Sequence, residues 1–182
     1  MLNPRFNPFP AITTVRLVLR EVKAEDKREI FFLRSDKRVL AYLGKEPARR
    51  IQEAAEYIRM IKLSAEENQS ILWGISLKEN PDVLIGTICF WNLQKENHRA
   101  EIGYVLNPEY WRRGIMSEAM EAILKYGFDE LKLHSVEARL LAANKQSALL
   151  LESAGFVKEG YLREELYFRG NFYDTVIYSR LR

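Results

Sequence analysis

The run from Glu101 to Ala119 constrains this chain most, because it has to change conformation twice within a few residues. Glu101-Ile102-Gly103-Tyr104-Val105-Leu106 reads as a strand. Pro108 ends it, since its ring removes a ladder donor and restricts Asn107 before it. From Ile115 onward Met116, Ala119, Met120, Ile123, Leu124 and Gly127 fall at helical spacing, with Glu118, Glu121 and Lys125 on the opposite face. Between strand and helix lies a basic aromatic loop, Tyr110-Trp111-Arg112-Arg113-Gly114. Gly114 allows close approach to the backbone because no side chain stands in the way.

A helix start presents unpaired amides and the positive end of the helix dipole. Two arginines and a glycine placed there make an anion site suited to a phosphate or pyrophosphate. A basic loop that simply caps an amphipathic helix is the other reading. The loop lacks the Lys-Ser/Thr ending of a nucleoside triphosphate loop and the three-glycine dinucleotide fingerprint. Those two carriers are set aside.

In chain order, residues 1–12 carry three prolines and form an irregular arm, followed by a strand over Thr14–Val22. Helices are expected over Ala24–Arg34 and Arg49–Ala65, with a short helix or loop between them. Strands follow over Ser70–Leu77, Val83–Leu93 and Arg99–Leu106, in antiparallel succession. The helix after Gly114 leads to a strand over Leu133–Ala142. Asn144 caps a helix over Lys145–Ser153 that Gly155 ends. A final hairpin turns at Arg169-Gly170-Asn171.

Trp111-Arg112-Arg113-Gly114-Ile115-Met116 resembles the Arg/Gln-x-x-Gly-x-Gly/Ala segment with which GNAT N-acetyltransferases hold the pyrophosphate of acetyl-CoA. It departs from that pattern at Trp111, where Arg or Gln is common, and at Met116, where Gly or Ala is common. The flanking Ala100-Glu101-Ile102-Gly103-Tyr104 and Ser117-Glu118-Ala119 resemble the ribosomal-protein alanine/serine N-acetyltransferase branch. The element order matches the family's from Thr13 to the C-terminus. The resemblance implies an α+β GNAT fold in one domain over residues 1–182, with a mixed, mostly antiparallel sheet of about seven strands flanked by about four helices. It implies acetyl-CoA as co-substrate, held by Arg112, Arg113 and the Gly114-Ile115-Met116-Ser117 turn. It also implies that the sheet splays beside Tyr104-Val105-Leu106, whose backbone pairs with the pantetheine arm as an added strand would.

Asn144-Lys145-Gln146-Ser147, followed by Gly155-Phe156, is similar to the family's Asn-x-x-Ser element. Asn144 either only caps its helix or also contacts the pantetheine or acceptor. By the resemblance, Ser147 serves the departing thiolate. Many relatives carry a tyrosine acid four residues further on; here Leu151 stands there. Glu101 lies in a strand that reads as buried, where a carboxylate is costly unless paired or functional. It also matches a position at which several GNAT enzymes carry their general base. Glu137 sits comparably in the next strand, as a second base candidate, an ion-pair partner or an acceptor-positioning group. Cys89 reads as core, and His98 and His134 have no partner at triad or metal spacing, so no metal is expected. Asp174 and Tyr167 either line the acceptor pocket or form cross-strand pairs.

A net charge of +3, interspersed along the chain, argues weakly for an anionic ligand and hardly for nucleic acid, which Tyr110 to Arg113 would otherwise suit as a stacking patch. One cysteine fits a reducing compartment, and no apolar run approaches a membrane span, so a cytoplasmic protein is expected. Monomer and homodimer remain open. The expected reaction is direct acetyl transfer to a primary amine, foremost a protein N-terminal α-amine. The alternatives are a small amine such as a polyamine or antibiotic, or a non-catalytic acyl-CoA-binding module.

Overall fold

The computed structural model describes all residues 1–182. The elements are β1 (Ile12–Thr13), β2 (Leu17–Arg20), α1 (Lys27–Leu33), α2 (Lys37–Leu40), α3 (Ile51–Glu66), β3 (Ile71–Leu77), β4 (Gly86–Gln94), β5 (Arg99–Leu106), α4 (Ile115–Asp129), β6 (Ser135–Leu141), α5 (Lys145–Ser153), β7 (Val157–Phe168) and β8 (Asn171–Leu181). They form one sheet in the order β1-β2-β3-β4-β5-β6-β8-β7. Every pairing is antiparallel except β5 with β6.

β3 shows why helices must cover both faces. Its residues are apolar almost throughout and buried on both sides, which a strand achieves only between two layers. Ile71, Trp73 and Ile75 join the α4 and α5 layer, while Leu72 joins the smaller cluster under α1 and α3. The α3 face follows from Ala54 and Ile58, one turn apart, with Glu53 accepting the amide of Arg50 at 3.1 Å to cap the helix start.

Eight strands appear where about seven were expected, because the end of the arm adds the two-residue β1. Five helices appear where about four were expected. The extra one is the single turn α2, started by Asp36, whose carboxylate accepts the amides of Arg38 and Val39. The arm is otherwise irregular, as expected, and is pinned to the α4 side of the sheet. Leu2 and Phe6 are buried, and the Trp73 indole donates to the Pro10 carbonyl at 2.8 Å.

A buried fork ties the first long strand to the first helix. Arg20 donates to both carboxylate oxygens of Asp26 at 2.8 Å and to the carbonyl of Pro81 at 2.9 Å. The carbonyls of Glu21 and Asp82 take its two remaining donors, so all five are satisfied, which is the condition for tolerating a buried charge.

The sheet opens in its middle. β5 and β6 pair only at Arg99 with Ser135, Ala100 with Val136 and Glu101 with Glu137. Beyond that point β5 stays with β4 as far as Leu106, and β6 stays with β8 as far as Leu141. The two halves part and leave a wedge between them.

Candidate active site

Strand alternation assigns the walls of the wedge. Glu101, Gly103 and Val105 face the α1 and α3 side; Ile102, Tyr104 and Leu106 face the α4 side. The backbone alternates as well. The Asn107 amide donates to Ile85 across β4 at 2.8 Å, so the N–H and C=O groups of Leu106 and Tyr104 turn toward the opening. No strand meets them there. The Trp111 indole donates to the Leu106 carbonyl at 2.8 Å, leaving the Leu106 amide and both Tyr104 groups presented to the wedge.

At the end of β5 the chain turns through Pro108–Tyr110 into α4. Arg112 (φ 59°) and Gly114 (φ 71°) both adopt the left-handed conformation, which folds the loop back over the helix start. Ile115 and Met116 bury their side chains in the core, so only their backbone amides, beside that of Ser117, are offered outward. Arg112 and Arg113 are exposed, and the Arg113 guanidinium lies 5.5 Å from the Tyr110 ring centre.

Sequence reading missed the clamp that holds this loop. Glu118 accepts the Thr14 hydroxyl at 2.6 Å, the Arg16 amide at 2.8 Å and the Arg16 guanidinium at 2.6 Å, and Arg16 also donates to the Arg113 carbonyl at 2.9 Å. Partial burial opposes ionisation of Glu118, yet the Thr14 and Arg16 contacts hold its carboxyl below the usual range. A Cβ built on Gly114 would meet only Arg16, at 3.4 Å. Open space above a positively charged helix start fits a pyrophosphate.

On the α4 side, Tyr104 and Ser147 bring their hydroxyls to 3.1 Å. Burial pushes the Tyr104 phenol up to about 12, against the pull of Ser147. Asn144 caps α5 by accepting the Ser147 amide at 3.1 Å, which fixes where the serine stands. Leu151 is buried in the core, so the helix offers no second hydroxyl at that position.

On the other side, Glu101 lines a cavity of about 930 Å³ that reaches from the wedge to α1 and α3. Burial pushes its carboxyl above the ordinary range; the Asn92 side chain and the Arg139 and Arg99 charges pull it partway back. Glu137 is engaged differently. It is ion-paired with Arg99 and lies 3.8 Å from Arg139, and it does not line the cavity. Cys89 is half-buried, packs against the smaller core cluster and forms part of the cavity wall, and burial raises its thiol to about 11. It therefore stays protonated near neutrality.

Other candidates lie elsewhere. His98 is set against the Lys132 carbonyl and pairs through its backbone with His134, away from the wedge. Asp174 is occupied by the Tyr161 hydroxyl and the Glu164 amide, and Tyr167 packs on Phe172, so both form cross-strand contacts rather than the pocket. Leu166, Glu165 and Thr175 represent the hairpin in the cavity wall instead. The Trp111 indole N–H is spent on the Leu106 carbonyl, while its ring stays exposed. No helix is long and apolar enough to cross a membrane.

The mixed sheet is thus splayed between β5 and β6, with a glycine turn at the end of β5 that leads into the start of α4 beside the opening. The family model described as Acetyltransferase (GNAT) domain matches residues 16–157. The chain belongs to the GNAT family and is an acetyl-CoA-dependent N-acetyltransferase. It is 39% identical over 171 residues to the Uncharacterized N-acetyltransferase YoaA of Bacillus subtilis (strain 168), covering 94% of this chain and 96% of that one. It is 32% identical over 95 residues to the [Ribosomal protein uS5]-alanine N-acetyltransferase of Escherichia coli (strain K12), covering 52% and 49%. The spermidine N-acetyltransferase of Vibrio cholerae, solved with CoA and spermine, superposes with a TM-score of 0.82 at 24% identity, covering 92% and 96%.

Proposed function

We propose that the acceptor is the α-amine of a protein N-terminus, such as that of a ribosomal protein. The observation that carries this reading is the cavity around Glu101, which is open, wide and without an unpaired acidic cluster. Of its acids, Glu46 pairs with Arg169 and Glu165 with Arg139. A polyamine would bring several positive charges into a site that does not balance them. An α-amine has a reference pKa near ~7.8 against ~10.4 for a lysine amine, so about a tenth of it is neutral at pH 7. A single carboxylate of raised pKa is then sufficient machinery to take its proton.

Acetyl-CoA, when bound, supplies the activated acetyl thioester. The amides of Ile115, Met116 and Ser117, with Gly114, Arg112 and Arg113, hold the pyrophosphate. The Tyr104-Val105-Leu106 backbone and the free amide nitrogen of Asn144 orient the arm that runs into the wedge. Glu101, on the α3 side, accepts the amine proton. Ser147, on the α5 side, donates to the departing sulfur, and Tyr104 restores its hydrogen bond. Glu137 positions Arg99 and Arg139 behind Glu101. Base and acid thus approach from opposite faces of the sheet and meet through its opening.

The test is a thiol-release assay at saturating acetyl-CoA, over N-terminal peptides, polyamines and small amines. Turnover highest on peptides with a free α-amine is the expected result. Turnover confined to polyamines would replace the reading.

A further inference from the structure

The cavity holds a buried donor whose bonding is unfinished, on Arg34. Arg34 closes α1, its carbonyl accepts the Ala48 amide at 2.8 Å, and its guanidinium stacks 4.0 Å above the Tyr57 ring. Its Nε is buried without a hydrogen-bond partner, and no acidic side chain forms an ion pair with it. A buried donor of this kind ordinarily finds an acceptor, because leaving it unmade costs the full desolvation of the group. Both Arg34 and Tyr57 line the cavity that contains Glu101.

The charges around it point the same way. Of the other two cavity cations, Arg139 is paired with Glu165 and Glu137 and Lys45 is outside every ion pair, whereas Glu101 is the one cavity acid without an ion-pair partner. The site therefore presents one carboxylate and two free cations. A ligand that balances it has a positive end and a negative end.

We infer that the acceptor amine carries a carboxylate, and that the Arg34 guanidinium, held flat by Tyr57, reads it while Glu101 receives the amine. This rests on the acetyl-transfer reading above and narrows its acceptor class. The planar fork matches a carboxylate through two parallel donors, which a lysine cannot reproduce. Two sources share that chemistry: an acidic side chain near a peptide N-terminus, and a free amino acid-like amine. The peptide reading expects the first.

The test compares matched acceptors that differ only by the carboxylate, at saturating acetyl-CoA. One pair is the amidated peptides Ser-Glu-Ala-Ala and Ser-Gln-Ala-Ala; the other is β-alanine and propylamine. The acidic member is expected to win by about tenfold or more in kcat/KM, mainly through KM. Arg34→Gln should reduce that preference to under about twofold without changing turnover of the neutral member or acetyl-CoA affinity. Arg34→Lys should retain an intermediate preference, and it decides the matter if Arg34→Gln does not fold. Equal rates within each pair, or a preference that survives Arg34→Gln, overturns the carboxylate site. A preference seen only with β-alanine keeps the site and sinks the peptide acceptor. If nothing turns over, calorimetry of the same four compounds on CoA-loaded protein separates the two readings. An Arg34-dependent difference in affinity keeps the site without the transfer reading, and no difference overturns it.

Discussion

The hydroxyl of Tyr104, on β5, stands 3.1 Å from the hydroxyl of Ser147, on α5, across the opening of the sheet. One belongs to the half of the sheet that carries the Gly114 turn, the other to the half that follows β6. The contact joins the two halves where they have already parted. Ser147→Ala and Tyr104→Phe should each lower kcat, the serine change by about 10²-fold, with little effect on acetyl-CoA affinity. The two losses should be far from additive, because either change breaks the same relay. Additive effects in the double variant would return both groups to independent packing roles.

Glu101→Gln should lower kcat by about 10²- to 10⁴-fold with acetyl-CoA binding retained. The wild-type acid limb should lie above the ordinary glutamate value of ~4.3, since burial disfavours the ionised form. The same shift has a stability cost, which is absent below the unfolded pKa and fully present above the raised folded pKa. Glu101→Gln should therefore be more stable than wild type at neutral pH and lose that advantage in acid. Thermal unfolding beside a pH–rate profile checks both signs.

Gly114→Val places a β-branched residue at φ 71°, at a strain of about 1–3 kcal/mol, and puts side-chain bulk over the helix amides. Acetyl-CoA affinity measured calorimetrically should be lost while circular dichroism stays native. Retained affinity would mean that the pyrophosphate rests elsewhere.

Glu118→Gln should loosen the same turn from behind. Its depressed carboxyl pKa contributes stability that is present above the unfolded value and lost as pH falls through the lower folded one. Denaturant midpoints of wild type and variant should differ at pH 7 and converge in strong acid. Acetyl-CoA should also bind the variant more weakly.

Asp26→Ala leaves Arg20 buried with two donors unmet, and should destabilise the chain by about 3–5 kcal/mol. Because the pair lies outside the wedge, kcat of the folded fraction should be unchanged.

Much of this was legible before folding. Periodicity and turn residues marked every major element, since each helix has one apolar stripe and β3 and β4 read as buried runs. The Asn144 cap and the glycine turn were visible because their chemistry is local. Arg34, Tyr57 and the Arg16–Glu118 clamp were not, because each gains its meaning from a residue far away in the chain. Arg16 and Glu118 are separated by 102 positions and look like ordinary surface charges until β2 lies beside α4. The fates of Glu137 and Asp174 were hidden for the same reason: no spacing rule announces which arginine or tyrosine will claim a carboxylate.

The indole bond from Trp111 to Leu106 acts as an end-stop. It fills the last acceptor on the open edge of β5, so a chain that slides along that edge finds the two Tyr104 groups and the Leu106 amide and then meets a wall. Whatever docks there is measured from a fixed zero. The distance between that zero and Ser147 then decides which bond in the docked molecule lies within reach of chemistry.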